Sequence, residues 1–361
     1  MQTDIASFFS EIKTTYNLNR PFVVFRKPNQ HTITGYVQNS NELFYLNSFK
    51  EQGFIFAPFN KNEKTVIFPI DECSIISSEI SKNEVFKTTK INLDVKVVVN
   101  QNSKEKHIQL VEKGINFIKN NSAKKVVLSR VESIENIDEN VIDIYKRILN
   151  NYKNAFVYIW YHPTVGLWVG ATPERLLSIS NNTFKTMALA GTQLYNGSTN
   201  INWKSKEQQE QQFVTDYILS NVKDSVSNLE ISTPYTVKAG NLVHIRTDIS
   251  GKLKSDDSLN ELISKLHPTP AVCGLPKGIA TDFILKNEGY NRTYYSGYLG
   301  EINKENATNL FVNLRCMEIK NSTALIFVGG GITKDSNAEK EWQETVSKAE
   351  VMKKVLKNKK H

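Results

Sequence analysis

Two helical segments of this sequence each carry a pair of glutamates at a spacing that could bind a metal ion. Glu207 and Glu210 lie in WKSKEQQEQQFV, and Glu341 and Glu344 lie in AEKEWQETVSK, where Lys348 follows four residues after the second glutamate. At about 3.6 residues per turn, residues three and four apart project from one face of a helix. Two such faces opposite each other would offer carboxylate oxygens, which Mg²⁺ prefers alongside water and substrate atoms. Taken alone, each segment equally fits an ordinary solvated helix face.

Three consecutive glycines precede the second of these helices. An apolar run over residues 324–328 predicts a buried strand, which we expect to break at Gly329, Gly330 and Gly331, and the helix is expected to begin near Ser336. Glycine has no Cβ, so the backbone N–H groups of a glycine loop can approach a bound group closely. A strand, a glycine loop and a helix would therefore place amides beside two carboxylates and an ammonium group.

A lysine on a strand and a glutamate after a proline are candidates for proton transfer. In KKVVLSR, alternation places Lys125 on one strand face with Val127 and Ser129. Such a lysine usually keeps its ammonium in solvent at a sheet edge, and it can act as a base near neutral pH only if burial or a neighbouring cation removes its proton. Glu174 follows Pro173 after a predicted strand, so it fits either an acid on an active-site loop or the first residue of a helix.

An arginine, a histidine and a proline-rich segment complete the candidates. Arg315 lies in FVNLRCM, where alternation places it beside Phe311 and Asn313. A guanidinium in such an apolar run needs a partner, and a planar carboxylate fits its paired N–H groups. His244 lies in LVHIRTD, and three prolines stiffen an apolar wall over residues 266–277. None of these residues identifies an enzyme by itself.

The elements that must position these residues alternate irregularly between strands and helices. Alternation between turn residues predicts strands over 22–25, 32–37, 53–57, 65–69, 124–130, 155–161, 167–170, 183–190, 236–249, 294–302 and 309–319. Helical periodicity predicts helices over 104–121, 139–150, 204–222, 258–266 and 277–287. Several strands follow one another between isolated helices, which favours an α+β fold over a regular parallel one. No repeat or linker is visible, so we expect one domain over residues 1–361.

Composition excludes several classes of protein. The chain has 361 residues, of which 40% are hydrophobic, enough for a substantial core. No apolar run is long enough to span a membrane and the first residues lack a signal peptide, so we expect a soluble, unprocessed protein. Cys73, Cys273 and Cys316 are far apart and outside any CxxC spacing, which indicates neither a disulfide framework nor a zinc site and suits a reducing cytosol.

The net charge of +8 does not indicate a nucleic-acid partner. Five lysines lie in the final segment KKVLKNKKH, which we expect to form a solvated basic tail over residues 353–361. The remainder of the chain is close to balance. A nucleic-acid-binding protein would carry a basic stripe interleaved with aromatics or a recognised motif, and the sequence has neither.

Ten segments in order resemble those of the chorismate-utilising enzymes, most closely the isochorismate synthases among them. The segments are KVVLSR, GATPERLL, LAGT, EQQE, LVHIRTDISG, LHPTPAVCGLPK, SGYLG, LRCMEI, VGGGI and EWQETVSK. The resemblance implies a single large α/β domain, similar to aminodeoxychorismate synthase, with two packed antiparallel sheets flanked by helices around a deep cleft. Residues 1–100 would supply N-terminal strands of that domain, and residues 104–352 its motif-bearing part.

The resemblance also implies roles for the candidate residues. Lys125 is similar to the lysine that activates water for attack at C2 of chorismate, and Glu174 resembles the acid that protonates the departing C4 hydroxyl. The implied Mg²⁺ ligands are Glu210 and Glu344, with Glu207 and Glu341 holding metal-bound water. The residues implied to bind the substrate's carboxylates and ring are Thr192, His244, Ala271, Tyr295, Leu314, Arg315, Gly329, Gly330, Gly331 and Lys348.

Departures from the family's pattern reduce the number of activities that the sequence fits. Ala190 stands where aminodeoxychorismate synthases carry a nucleophilic lysine, and Lys125 argues against anthranilate synthase, whose ammonia-using members lack a lysine there. Gln211 stands where relatives commonly have a histidine, and we expect it to tune the surroundings of the metal. Tyr295 and Leu314 lean towards the pattern of salicylate synthases, so that activity stays open as an alternative, as does a non-catalytic anion-binding relative.

The activity implied by the resemblance is a Mg²⁺-dependent isomerisation of chorismate to isochorismate, for menaquinone or siderophore biosynthesis. Its substrate is the small molecule chorismate. We expect no nucleic-acid, membrane or glutamine amidotransferase partner, and we expect a cytoplasmic monomer.

Overall fold

Most of the chain forms helices and strands in the computed structural model, which describes residues 2–81, 84–86, 101–135, 137, 140–239, 242–255 and 258–356. The helices within these residues are α1 (Ile5–Asn17), α2 (Gln101–Asn120), α3 (Val141–Asn151), α4 (Ser205–Val222), α5 (Ser258–Leu266), α6 (Lys277–Asn287) and α7 (Ala338–Lys353). The strands are β1 (Phe22–Arg26), β2 (Thr32–Gln38), β3 (Gly53–Ala57), β4 (Val66–Pro69), β5 (Cys73–Glu79), β6 (Lys125–Ile134), β7 (Phe156–His162), β8 (Gly166–Thr172), β9 (Arg175–Ser180), β10 (Thr183–Leu194), β11 (Val226–Ile231), β12 (Tyr235–Ala239), β13 (Leu242–Leu253), β14 (Gly274–Leu275), β15 (Tyr298–Lys304), β16 (Ala307–Val312), β17 (Cys316–Lys320) and β18 (Thr323–Ile332).

The strands form two sheets, called A and B here. Sheet A has the order β14-β6-β18-β17-β8-β7-β1-β2-β5, and sheet B has the order β11-β13-β10-β9-β16-β15-β3-β4, with β12 also paired to β13. All of these pairings are antiparallel. The N-terminal strands extend both sheets, since β1, β2 and β5 continue sheet A and β3 and β4 continue sheet B. The predicted α+β class with two antiparallel sheets is confirmed.

An aromatic core packs between the two sheets. On β1, Val23 and Phe25 join this core and the intervening residues point the other way, because successive strand side chains alternate between faces. Phe56 of sheet B meets Trp160 of sheet A with ring centroids 5.0 Å apart. The outer face of sheet A packs against α1, α3 and α7, and the outer face of sheet B packs against α4 and α5. Each sheet is therefore apolar on both faces.

The sequence patterns predicted only four strands in the first ninety residues, so α1 and β5 were missed. The α1 helix begins after Asp4, whose carboxylate accepts hydrogen bonds from the amides of Ala6 and Ser7 at 3.0 Å each. It buries Phe8 and Ile12, which lie four residues apart on one helix face. Both signals are present in the sequence and predict a helix.

Two long predicted strands are each two strands in the structure. The strand predicted over 309–319 divides into β16 in sheet B and β17 in sheet A, so the chain crosses between sheets at residues 313–315. Asn313 is buried at this crossing, where it accepts a hydrogen bond from the Tyr158 hydroxyl at 2.6 Å and donates one to the Tyr294 carbonyl at 2.9 Å. The prediction that Arg315 alternates with Phe311 on one strand is therefore wrong. The strand predicted over 236–249 likewise divides into the paired strands β12 and β13.

The glycine run lies within a strand rather than a loop, contrary to the prediction from its sequence. Gly329, Gly330 and Gly331 continue β18 and pair with residues 127–129 of β6. The turn to the next helix comes later, and α7 begins after Asn337, whose side chain accepts a hydrogen bond from the Lys340 amide at 3.1 Å. The strand continues because β6 offers a complete partner, which the glycine sequence alone does not reveal.

The predicted basic tail is only partly accessible to comparison, because residues 357–361 lie outside the described residues. Lys353, predicted to begin a solvated tail, is 6% exposed and forms ion pairs with Glu132 and Glu350. That part of the prediction is wrong, since α7 continues through Lys353 and packs it against β6. Across the described ranges, no helix is both long and apolar enough to cross a membrane.

Candidate active site

One cavity brings together residues from β6, β10, β13, β18, α4 and α7. It has a volume of about 130 Å³. Every candidate site residue predicted from the sequence lines it except Tyr295. The lining candidates are Lys125, Glu174, Thr192, Glu207, Glu210, His244, Ala271, Leu314, Arg315, Gly329, Gly330, Gly331, Glu341, Glu344 and Lys348. Tyr295 lies behind the wall, with its hydroxyl 3.2 Å from the point where a Cβ on Gly329 would stand.

Lys125 is buried in this cavity and contacts one of the glutamates. Its side chain is 3% exposed, and its Nζ donates a hydrogen bond to Glu210 Oε1 at 2.6 Å. The alternative of a solvated lysine at a sheet edge is therefore wrong. Burial alone would raise the pKa of Glu210, but the charge and hydrogen bond of Lys125 outweigh burial and hold that pKa below its usual range. A lysine base requires burial or a neighbouring cation. Lys125 is buried, but the group beside it is a carboxylate and not a cation.

Glu174 lies in the tight connection between β8 and β9, not at the start of a helix. The connection spans only Pro173 and Glu174. The carboxyl group is 7% exposed, and burial raises its pKa to about 7 although the charges of Lys125 and Arg315 oppose the rise. A carboxyl group with this pKa is partly protonated at neutral pH, which allows it to donate a proton.

The two glutamate pairs reach the cavity from different helices. Glu207 and Glu210 come from α4, and Glu341 and Glu344 come from α7. Glu341 is 5% exposed, and burial raises its pKa, with the charge of Glu344 adding to the rise. Glu207 Oε2 is buried without a hydrogen-bond partner among the described residues. The neighbouring Glu344 also acts against the lowered pKa of Glu210, so the two helices present their negative charges to one space.

Lysines balance most of this negative charge. Lys348 Nζ lies 2.6 Å from Glu344 Oε1 and also donates to the Gly329 carbonyl at 2.9 Å. Burial would raise the pKa of Glu344, but Lys348 outweighs it and the net shift is downward. Lys206 Nζ lies 3.9 Å from Glu341 Oε1. With Lys125 on Glu210, each glutamate except Glu207 has a lysine beside it.

The donor set fits a hard cation, although the carboxylates do not form a closed cluster. In the part of the chain that the structure describes, no three His, Cys, Asp or Glu side chains are gathered closely enough to hold a metal ion as they stand. The cavity nevertheless offers carboxylates from two helices, including the unpartnered buried oxygen of Glu207. Mg²⁺ binds through one or two carboxylates, water and substrate oxygens rather than through a complete protein cage.

The glycines keep the cavity open on the side of β18. A Cβ on Gly331 would lie 2.7 Å from Lys125 Cε and 3.3 Å from Glu210 Oε1. A Cβ on Gly330 would lie 3.4 Å from Glu341 Oε2. A side chain at Gly331 would therefore compete for space with Lys125, whereas a Cβ at Gly330 would only contact the glutamates.

A histidine with a defined tautomer faces the cavity from β13. His244 Nδ1 lies 3.1 Å from the Gly191 carbonyl and 3.1 Å from Thr192 Oγ1. Burial lowers the pKa of His244 to about 3, and the charges of Arg315 and Lys348 add to the effect, so the ring is neutral at physiological pH. Because the carbonyl can only accept, Nδ1 carries the proton and Nε2, which is buried without a partner among the described residues, can accept a hydrogen bond.

The position of Arg315 is set by an unusual backbone conformation. Its φ of 47° is in the left-handed region, which costs energy for a residue other than glycine. The crossing between sheets imposes this conformation and places the guanidinium in the wall of the cavity. The structure therefore supplies a cation in the cavity wall whose charge opposes the rise that burial causes in the pKa of Glu174.

A family model described as "Chorismate binding enzyme" matches residues 60–357. The chain belongs to the family of chorismate-binding enzymes. Curated relatives include isochorismate synthase EntC of Escherichia coli (strain K12), 29% identical over 242 residues that cover 63% of this chain and 61% of the relative. Isochorismate synthase MenF of Bacillus subtilis (strain 168) is 29% identical over 267 residues, which cover 69% of this chain and 55% of the relative. The match therefore spans only about three-fifths of the length of these relatives.

Solved structures show the same fold. A putative 2,3-dihydroxybenzoate-specific isochorismate synthase, DhbC from Bacillus anthracis, has a TM-score of 0.79 at 20% identity and covers 96% of this chain and 99% of its own. The menaquinone-specific isochorismate synthase MenF from Escherichia coli has a TM-score of 0.76 at 20% identity and covers 93% of this chain and 88% of its own. The two-sheet architecture is thus that of the chorismate-binding enzymes.

Two residues of this chorismate-binding enzyme have places that the sequence did not predict. Lys206 lines the cavity and was missed, although it precedes Glu210 by four residues and so shares its helix face. Gln211, expected to tune the surroundings of a metal, is 2% exposed and points towards β10 instead. It accepts from the Ala190 amide at 2.9 Å and donates to the Ala188 carbonyl at 3.1 Å, so it fixes α4 on the sheet.

Proposed function

We propose that this chorismate-binding enzyme is an isochorismate synthase, which isomerises chorismate to isochorismate. The observation that carries the proposal is the convergence of a buried lysine and a partly protonated carboxyl group on one cavity. Lys125 is 3% exposed, and Glu174 has a pKa raised to about 7. The names of the relatives EntC and MenF support the same activity.

The reaction needs one base and one acid on opposite sides of the ring. Lys125 takes a proton from the water that forms a bond to C2 of chorismate. The two ring double bonds shift, the C4–oxygen bond breaks, and Glu174 gives its proton to the departing hydroxyl, which leaves as water. One water is added and one is lost, so the atoms balance. Positioned acids and bases each contribute about 10²–10⁴-fold to such a step.

We propose that the four glutamates hold Mg²⁺. Glu210 and Glu344 would bind it directly, and Glu207 and Glu341 would hold its water molecules. When bound there, Mg²⁺ would neutralise charge on the carboxylates and hold the ring carboxylate of the substrate. The fit rests on the donor chemistry and on the unpartnered buried oxygen of Glu207.

Cations and polar groups elsewhere in the cavity would orient the dianionic substrate. Arg315, Lys348 and the amides of Gly329–Gly331 would bind carboxylates, since guanidinium and ammonium groups form charge-assisted hydrogen bonds with them. The neutral His244 offers Nε2 as an acceptor for a ring hydroxyl. Thr192, Ala271 and Leu314 would line the ring.

The test is the identity of the product. Purified protein is incubated with chorismate with and without Mg²⁺, and products are separated by liquid chromatography with fluorescence detection of salicylate. Isochorismate that forms only with Mg²⁺ is the expected result. Salicylate and pyruvate in equal amounts would replace the proposal by salicylate synthase, and no consumption of chorismate would favour an anion-binding protein. A Lys125→Ala preparation made in parallel controls for a contaminating host enzyme.

The setting of the enzyme is also a proposal. We propose a cytoplasmic enzyme, since Cys73, Cys273 and Cys316 are all unpaired thiols, as a reducing compartment allows. We propose that its product serves menaquinone or siderophore biosynthesis and that it acts as a monomer without an amidotransferase subunit. Size-exclusion chromatography with light scattering would test the oligomeric state, and a dimer mass would overturn that part.

A further inference from the structure

A buried ion pair, Glu288 and Arg292, lies outside the cavity and lines none of its wall. Glu288 follows α6, and Arg292 lies four residues further on, with side chains 1% and 2% exposed. Arg292 Nη2 donates to Glu288 Oε1 at 2.5 Å, and its Nε donates to Oε2 at 2.7 Å. The guanidinium also stacks on Phe59, 4.4 Å from the ring centroid. Both charges are therefore fixed in position and removed from solvent.

The pair bonds to the strand that carries Lys125. Arg292 Nη2 donates to the Val127 carbonyl at 2.8 Å. Glu288 Oε1 accepts from both the amide and the hydroxyl of Ser129, each at 2.8 Å. These backbone groups lie beyond β14, whose pairing with β6 covers only Lys125 and Val126. The ion pair thus takes the place of a neighbouring strand at this edge of β6.

The same arginine also holds the facing wall. Arg292 Nη1 donates to the Val272 carbonyl at 2.9 Å, next to Ala271, which lines the cavity. A backbone hydrogen bond from the Val127 amide to the Cys273 carbonyl at 2.7 Å joins the same two segments. The guanidinium of Arg292 therefore fixes the separation between β6, which carries Lys125, and the proline-rich wall.

We propose that Glu288 and Arg292 are positioning residues that hold Lys125 and the wall at Ala271 in their reactive separation. The inference rests on the proposed function, because it takes Lys125 as the base. Buried ion pairs generally add little net stability compared with apolar side chains of similar size. This pair forms hydrogen bonds to both walls of the cavity, which indicates that it positions the walls rather than only stabilising the fold. Small misplacements of reacting groups can lower rates by about 10²-fold.

Two variants test the proposal in the full-length protein. Arg292→Lys keeps the charge, but its three N–H donors cannot replace the four hydrogen bonds that the guanidinium gives to two carbonyls and both carboxylate oxygens. Glu288→Gln keeps the shape but removes the charge. In both we expect kcat to fall about 10–100-fold with KM changed less than about threefold. The control is Glu301→Gln, which removes the charge of another buried glutamate that does not line the cavity. Glu301 is 3% exposed, lies 2.5 Å from Lys27 and 3.1 Å from Lys304, and accepts a hydrogen bond from the Tyr36 hydroxyl at 2.9 Å.

The control separates positioning from general destabilisation. We expect Glu301→Gln to lower the melting temperature while leaving kcat within about twofold of the wild type. The proposal is overturned if kcat falls equally in all three variants, or if Arg292→Lys and Glu288→Gln change KM alone. Retention of wild-type kcat in both folded variants would overturn it as well.

A second measurement does not depend on turnover. Amine acylation is followed by mass spectrometry, and the rate of labelling at Lys125 is compared between variants. A nearby carboxylate favours the charged ammonium, which does not react. Release of the strand should free Nζ from its 2.6 Å contact with Glu210 and raise that rate at least about threefold in Arg292→Lys but not in Glu301→Gln. An unchanged rate overturns the positioning role. If the wild type does not turn over chorismate, the proposed function fails while this result still decides the inference.

Discussion

The helices α4 and α7 present the same motif to the cavity but obtain their counter-charges differently. On α7, Glu344 pairs with Lys348 one turn further along the same helix. On α4, Glu210 pairs with Lys125, which lies on β6 of sheet A, whereas α4 itself packs on sheet B. The charge balance on α7 is therefore local, whereas that on α4 depends on the tertiary fold. Lys125, the proposed base, therefore links the α4 glutamate to the proposed proton transfer, whereas Glu344 pairs with a lysine of its own helix.

The largest effect is expected at Lys125, the residue of β6 that pairs with Glu210 of α4. Lys125→Ala should lower kcat by about 10²–10⁴-fold, because it removes the proposed base, while chorismate still binds. The control is Lys124→Ala, since Lys124 is the adjacent exposed residue and packs over Phe213. Stopped-time assays of isochorismate measure both variants. Wild-type rates in Lys125→Ala would exclude it as the base.

The glutamates of the two helices test whether they bind one metal ion. Glu210→Gln and Glu344→Gln should each raise the Mg²⁺ concentration for half-maximal activity by at least about tenfold, since even groups next to a metal's ligands cost that much. Mg²⁺ titrations of activity and of thermal stability measure this. If one variant keeps the wild-type titration, its helix does not contribute a ligand and the comparison between the helices fails.

The lysines on the two helices should differ in importance. Lys348→Ala should raise KM by about tenfold, because a partly buried charge-assisted contact is lost at Glu344 and at the Gly329 carbonyl. Lys206→Ala should change KM by less than about threefold, since Lys206 is 54% exposed and stands 3.9 Å from Glu341. Steady-state kinetics decide between them, and a larger effect at Lys206 would contradict the assigned geometry.

The smallest effect concerns the pH dependence. Glu174 must be protonated to act as the acid, and its pKa is raised to about 7, so kcat/KM should fall to half near pH 7 and decline further at higher pH. Lys348→Ala should leave this limb in place, because the charges that act on Glu174 are those of Lys125 and Arg315. A rate that stays constant from pH 6 to about 9 would remove Glu174 from the role of acid.

Sequence spacing predicted those parts of the site that lie within single elements. The helical period placed each glutamate pair on one helix face, and alternation placed Lys125 on one strand face. Only the resemblance to the chorismate-utilising enzymes assigned these residues to one site. The strand conformation of Gly329–Gly331 and the crossing at Arg315 depend on partners distant in sequence. Local propensity favours a loop at three glycines and a continuous strand through FVNLRCM, and tertiary pairing overrides both.

The same limit explains the residues that were missed or misplaced. Lys206 lies four residues before Glu210, so the predicted glutamate face of α4 already included it. It was missed because a lysine among carboxylates is equally typical of a solvated helix face. Gln211 was expected to tune the surroundings of the metal because it stands where relatives commonly have a histidine. Its position next to Glu210 on a helix points about 100° away from that glutamate. Its amide instead binds the backbone of β10.

The bare backbone of β18 decides which parts of the cavity can be altered by protein engineering. Substitution of Gly330 or Gly331 would place atoms next to the glutamates or the lysine that the proposed chemistry uses. A library randomised at Gly331 should yield almost only inactive clones, because a Cβ there would lie 2.7 Å from Lys125 Cε. Diversity directed to Leu189, Ala271 and Leu314, which line the same cavity with apolar side chains, is where altered substrate selectivity should be sought.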